Sequence, residues 1–171
     1  AYHKKLGGIS RYQKFEYFLR TIVGVPPDPT SLERLLLTFA HAVREGLLTC
    51  AVSPGLRALR EATSHARWMV VSGGDQNELR EVFQQRALTQ FFGDSIYGSP
   101  DTKDTILSRE KANSNLQLPA LFLGDSRYDH EAAVRAGLDF VFVSQWTEFA
   151  DWRAYQQLRG FGVVPDLQSL L

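Results

Sequence analysis

One stretch limits the possible folds more than any other: Ala120-Leu-Phe-Leu-Gly124-Asp125-Ser-Arg-Tyr-Asp129-His-Glu-Ala-Ala-Val-Arg-Ala-Gly137. Residues 120–123 form a short apolar run, which suits a buried strand better than a helix. The run ends abruptly at Gly124-Asp125, and a second carboxylate, Asp129, follows within one helical turn. Residues 131–136 then read as a small-residue helix that Gly137 closes. Strand, acidic turn and helix in that order place two carboxylates at a strand's carboxyl end. Open α/β sheets bind their ligands at such ends.

The chain around this stretch repeats the alternation. Pro54-Gly55 opens a short helix with Leu56 and Leu59 inward. Trp68-Met-Val-Val71 reads as a compact strand ending in Ser72-Gly73-Gly74, and a helix follows from about Asp75 with Leu79, Val82 and Phe83 inward. Ser95-Ile-Tyr97 reads as a short strand and Gly98 to Thr102 as a loop carrying Lys103 at its end. A polar helix over 104–112, a strand at Phe140-Val-Phe-Val143 and a last helix bearing Phe149, Trp152 and Tyr155 complete the series. Strands alternating with helices predict a parallel sheet with helices on both faces.

Residues 1–50 are different. Tyr12, Phe15, Phe18, Leu19 and Ile22 recur at helical spacing, and Gly24 to Pro29 breaks the helix. Thr30-x-x-Glu33 reads as a capping box for a second helix, whose apolar face is Leu32, Leu35, Leu36, Phe39, Ala40 and Val43. The expected class is therefore α/β. An open, parallel, Rossmann-like sheet occupies about 51–171, and a helical hairpin occupies about 1–50.

Composition narrows the function. The chain has 171 residues with 19 Lys plus Arg against 19 Asp plus Glu, so its formal charge is zero. No basic run marks a nucleic-acid or anionic-membrane surface. No apolar run approaches the roughly 18 residues that span a bilayer. The single cysteine, Cys50, excludes an intramolecular disulfide framework, fits a reducing, cytoplasmic setting and reads as a small buried residue. His3, His41, His65 and His130 show no ligand spacing, and His130 reads as an exposed helix-start residue.

Three groups fall at the strand ends. Ser72 offers a hydroxyl, and the amides of Gly73 and Gly74 are expected at a helix start, where unpaired N–H groups favour an anion. Lys103 supplies a positive charge. Asp125 with Asp129 supplies hard oxygen ligands that suit Mg²⁺. Hydroxyl, amides, ammonium and metal suit a phosphoryl group. Each element alone has a plainer reading. Ser-Gly-Gly is commonly a turn with an N-cap, a lone lysine is commonly solvated, and Asp129 suits the start of a helix. Their order on an alternating β/α chain favours the joint reading.

Those residues resemble the haloacid dehalogenase-like hydrolase superfamily, mostly Mg²⁺-dependent phosphatases, over essentially the whole chain. Val70-Val-Ser72-Gly73 resembles the family's second motif, which implies that Ser72 hydrogen-bonds the phosphoryl group. Lys103 in Gly98-Ser-Pro-Asp-Thr-Lys103 resembles the third motif, whose lysine neutralises phosphoryl charge. Leu123-Gly-Asp125-Ser-Arg-Tyr-Asp129 resembles the fourth, an acidic metal-holding pair. The hairpin at 1–50 resembles the family's cap, and Gly8-Ile-Ser10-Arg11 resembles a cap loop that would bring Arg11 to the phosphate.

The family's first motif, Asp-x-Asp, supplies a nucleophile that becomes an aspartyl-phosphate and a general acid/base. No Asp-x-Asp occurs in these 171 residues, and the only early aspartate, Asp28 in Pro27-Asp-Pro29, reads as a turn residue. The strand that carries the motif is central in the family, between the strands ending at Ser72 and Asp125. The expectation is a parent protein that continues upstream of Ala1, with these residues alone inactive. The implied activity is Mg²⁺-dependent hydrolysis of a small phosphorylated metabolite. Phosphomutase or phosphonate cleavage in the same superfamily, the latter through Lys4, Lys5 or Lys14, stays open. A non-catalytic binding module also stays open, whereas the long helical insert and the lack of an N-terminal acidic strand speak against a receiver- or flavodoxin-like domain.

Overall fold

The computed structural model describes residues 10–171. Eight α-helices and five strands are present among the described residues. They are α1 (Arg11–Tyr17), continued by a π-helical stretch Phe18–Val23, then α2 (Pro29–Thr49), α3 (Leu56–Ala62), β1 (Val70–Asp75) and α4 (Gln76–Gln85). They continue with α5 (Thr89–Phe92), β2 (Ile96–Ser99), α6 (Lys103–Ala112), β3 (Leu121–Gly124) and α7 (Arg127–Ala136). The last elements are β4 (Asp139–Val143), α8 (Trp152–Arg159), β5 (Gly162–Val164) and a 3₁₀ turn at Leu167–Leu170. The α/β class is thus present, with every strand pair parallel.

The strands do not form one sheet. β1 pairs only with β2, while β3, β4 and β5 make a second sheet in that order. No described strand joins β1 to β3, and a parallel ladder needs a strand in register to extend it. The two sheets belong to two compact units. Among the described residues, 10–51 with Trp68–Thr102 form one, and Val52–Arg67 with Lys103–Leu171 form the other. The helical hairpin therefore groups with β1, α4, α5 and β2, so the grouping does not follow the chain at residue 50.

In the hairpin unit the predicted helical face of α2 is in phase but shallow. Leu32, Leu35, Leu36, Ala40 and Val43 are half-buried, Phe39 is exposed, and α2 has no fully buried residue. Phe39 instead meets Phe15 edge to face at 5.6 Å between ring centroids. The predicted capping box at Thr30 and Glu33 is not used. Asp28 is the N-cap, accepting from Ser31 N at 2.9 Å, with Pro29 in the first turn. Proline at N1 needs no amide partner and presets the helical φ, so the helix starts earlier than the box suggests. Cys50 also departs from expectation: it is exposed, with the Arg86 guanidinium 3.2 Å from Sγ and 2.6 Å from the Cys50 carbonyl oxygen.

The second unit has the denser core. Ile106, Leu107, Ala132, Ala133 and Phe142 are essentially inaccessible, so α6 and α7 bury apolar faces together with β4. β3 and β4 pair from Leu121 opposite Asp139 to Gly124 opposite Phe142. Behind them Phe142 stacks on Trp152 at 5.3 Å and on Phe161 at 5.8 Å. His130 is buried in that aromatic group, its Nδ1 2.9 Å from the Tyr155 hydroxyl. The exposed helix-start reading of His130 fails because α7 turns this residue inward against Phe140 and Phe161. β5 and the 3₁₀ turn follow α8, which is therefore not the last element.

One joint closes this unit. Gly55 has φ +83°, and a Cβ built there would sit 2.4 Å from the Gln168 backbone nitrogen. Left-handed backbone costs a non-glycine residue about 1–2 kcal/mol, and the clash with backbone adds to it. Gly55→Ala should therefore lower stability by at least about 2 kcal/mol by that reckoning. Gly46 is helical, and a Cβ added there would meet nothing within 4 Å. Gly46→Ala should raise stability by about 0.5–1 kcal/mol. Urea denaturation of both variants checks the pair.

Candidate functional site

The turn from β3 into α7 is built by reciprocal capping. Ser126 is the N-cap of α7 and its Oγ accepts from Asp129 N at 3.1 Å. Asp129 Oδ2 in return accepts from Ser126 N at 3.0 Å, Ser126 Oγ at 2.7 Å and Asp125 N at 3.2 Å. These bonds satisfy backbone donors that a helix start leaves unpaired. The other oxygen, Asp129 Oδ1, accepts from Lys103 Nζ, and both side chains are almost fully buried. The Lys103 ammonium also lies 5.9 Å from the Phe122 ring centroid.

Gly124 makes the approach possible. A Cβ at this position would stand 2.4 Å from Asp129 Cβ and 2.7 Å from its carboxyl carbon. Any side chain there would push the carboxylate off its donors. Thr147 Oγ1 donates to the Asp125 carbonyl at 2.5 Å and ties the turn to the segment after β4.

Asp125 behaves differently from Asp129. Its side chain is open to solvent although protein surrounds much of it. Desolvation first, and then the charge of Asp129, push its carboxyl up to about 6, with Lys103 opposing the shift. Water still reaches the group and screens part of that repulsion.

The structure thus brings together three of the residues singled out by sequence: Lys103, Asp125 and Asp129. It commits Asp129 to Lys103 and to the turn, leaving Asp125 as the solvent-facing carboxylate. Among the described residues, no group of three or more His, Cys, Asp or Glu side chains could hold a metal ion. The donors present fit Mg²⁺ only through Asp125, with waters and a ligand's oxygens completing the shell, a mode Mg²⁺ commonly uses.

The remaining predicted residues lie in the other unit. Ser72, Gly73 and Gly74 lie inside β1, not in the first turn of α4. The pairing steps from Val71 opposite Tyr97 to Asp75 opposite Ser99, so the three residues form a bulge. Ser72 Oγ accepts from Gly74 N at 3.0 Å, and Ser99 Oγ donates to the Gly73 carbonyl at 2.8 Å. The Gly74 amide is therefore engaged by Ser72 itself. Asp75 then caps α4, accepting from Asn77 N and Glu78 N at 3.0 Å each, and its Oδ2 accepts from the Tyr12 hydroxyl at 2.9 Å.

Arg11 sits 2.6 Å from Glu78 Oε2 and 4.9 Å from the Phe39 ring centroid. The guanidinium is not aligned for a hydrogen bond, so both buried Glu78 oxygens lack a hydrogen-bond partner among the described residues. Charge holds this pair. Gly8 and Ile9 of the proposed cap loop, with Lys4, Lys5 and His3, lie outside the described residues.

Sequence reading misses Ser126 as the organiser of the acidic turn. The signal is present, because Ser126-x-x-Asp129 has capping-box spacing. The Arg11–Glu78 and Tyr12–Asp75 pairs join segments far apart in sequence, and no spacing rule reports them.

The fold and site define a mixed α/β chain with an acidic, lysine-paired turn at a strand end. The chain matches no protein-family model and no curated protein.

Two outcomes test this geometry. Lys103→Met leaves Asp129 buried without its cation and should cost about 3–5 kcal/mol in chemical denaturation, the usual result of breaking a buried pair. For Asp125 the folded-state value lies above the ordinary carboxyl value of 3.8. Its contribution to stability is present below the ordinary value and is lost as pH rises toward about 6. Asp125→Asn should flatten the fall in stability over that window and raise stability at neutral pH. Denaturation at a series of pH values reads this as a difference from the parent chain.

Proposed function

We propose that this chain is the phosphate- and metal-binding part of a haloacid dehalogenase-like hydrolase. The activity is Mg²⁺-dependent hydrolysis of a small phosphorylated metabolite in the cytoplasm. The observation that carries the reading is the buried Lys103–Asp129 pair with the open Asp125 carboxylate in the same turn. An ammonium held by a carboxylate whose other oxygen is fixed by Ser126 is a preorganised positive charge. Such charge suits the equatorial oxygens of a phosphoryl group and needs no rearrangement when they arrive.

Asp125 would hold Mg²⁺, and Asp129 would orient Lys103. The metal, when bound, supplies neutralisation of phosphoryl charge. Ser72 carries its phosphate-binding role through the family resemblance, and Gly73 and Gly74 shape the bulge that fixes its hydroxyl. Arg11 would serve the substrate only by exchanging Glu78 for phosphate. In this reading the nucleophile and the general acid/base come from an Asp-x-Asp segment outside these 171 residues.

Titration of the chain with Mg²⁺ and inorganic phosphate tests the site directly. Weak Mg²⁺ binding that phosphate tightens is the expected result, and Asp125→Asn should abolish it. Because the metal displaces the proton from Asp125, affinity should rise by about tenfold per pH unit below the carboxyl value and level off above it. Phosphate release should appear when a protein that includes the Asp-x-Asp segment is assayed with Mg²⁺ and should stop with EDTA. No release across a broad panel of phosphate esters would overturn the enzymatic reading and leave a binding module.

A further inference from the structure

We propose that Asp104, Tyr128 and Arg135 form a clamp that positions Lys103 for the phosphoryl site. This inference rests on the function proposed above. Asp104 is the residue after Lys103, and Tyr128 is the residue before Asp129, so the clamp is one residue away from each member of the buried pair. Arg135 grips Asp104 with two donors, Nε to Oδ1 at 2.6 Å and a terminal nitrogen to Oδ2 at 2.9 Å. The Tyr128 hydroxyl donates to the same Oδ2 at 2.9 Å.

The helix geometry explains how these residues meet. Side chains on a helix lean toward its N-terminus. Arg135, in the last turn of α7, can therefore reach back along the helix, and its guanidinium lies 5.8 Å from the Tyr128 ring centroid. Asp104 sits in the first turn of α6, where its charge also suits the helix dipole. The result is a three-donor fixture between the start of α6 and the body of α7.

Arg135 and Asp104 are about half-exposed. An exposed ion pair by itself contributes little stability, although a two-donor arginine fork is the favourable geometry. Its effect is therefore expected on placement more than on global stability. Lysine is a long, flexible point charge, and holding its ammonium on one oxygen requires a fixed backbone origin. The clamp supplies that origin at the adjoining residue. A second tie, Lys111 Nζ to the Ala136 carbonyl at 2.7 Å, joins the far ends of the same two helices and makes a natural control.

The test uses the 171-residue chain and reads hydrogen exchange of the Lys103 ammonium by ¹⁵N NMR, with Lys103→Arg assigning the signal. Arg135→Met should speed that exchange by about tenfold, the scale of losing one net hydrogen bond of local stability. Tyr128→Phe should move it the same way by less. Lys111→Met should lower the melting temperature and leave the Lys103 signal in place. Unchanged Lys103 exchange in both Arg135→Met and Tyr128→Phe overturns the clamp and leaves those residues a structural role. If Arg135→Met does not fold, Tyr128→Phe decides alone, because it removes one oxygen and keeps the ring. Inorganic phosphate and Mg²⁺ titrations separate the two ideas. Failure of the parent chain to bind either overturns the phosphoryl reading, whereas the ammonium signal judges the clamp without any ligand.

Discussion

The acidic turn depends on one carboxylate. Asp129 takes three donors from Ser126 and the Asp125 amide on one oxygen and the Lys103 ammonium on the other. A buried charge is tolerable only when paired and hydrogen-bonded. Here the same bonds that make Asp129 tolerable also start α7, end β3 and bring α6 to the turn. Removing any partner would affect all three elements together. Asp125 is the counterpart: the fold holds Asp129 fully satisfied and leaves its neighbour facing water, with a carboxyl raised toward neutral pH. Two aspartates four residues apart thus have opposite fates, set by which one the helix start turns inward.

The two sheets follow from what each strand has to pair with. β3, β4 and β5 form a three-stranded parallel ladder backed by an aromatic group around Phe161. β1 and β2 form a shorter ladder whose bulge at Ser72, Gly73 and Gly74 is pinned by Ser99. Parallel strands usually lie buried between layers, and among the described residues only β4 has a strand on each side, while β1, β2, β3 and β5 each pair with one. The helical hairpin meets β1 and α4 through paired side chains, Arg11 with Glu78, Tyr12 with Asp75 and Arg44 with Glu81, and its long helix has no fully buried residue.

Much of the local structure is legible in the sequence. The strand at residues 121–124, the helix closed by Gly137, the short helix after Gly55 and the loop delivering Lys103 all stand close to where pattern and turn residues place them. The departures have particular causes. Thr30 and Glu33 match a capping pattern, but Pro29 lets Asp28 start the helix earlier. His130 has polar neighbours in sequence, which suggest exposure, while its neighbours in space are Phe140, Tyr155 and Phe161. β5 is a three-residue strand, too short to show a period.

The sequence by itself determined the element types, the parallel α/β character and the gathering of acidic residues at one strand end. Those follow from hydrophobic period, glycine placement and capping spacing, which act over a few residues. Tertiary structure decided the rest. It split the strands into two sheets, joined Arg11 to Glu78 and Asp104 to Arg135, and gave Asp129 to Lys103 while leaving Asp125 open. Those outcomes depend on which distant groups share a buried space. Residue spacing along the chain does not carry that information, because a long-range pair forms only where folding has already brought its two segments together.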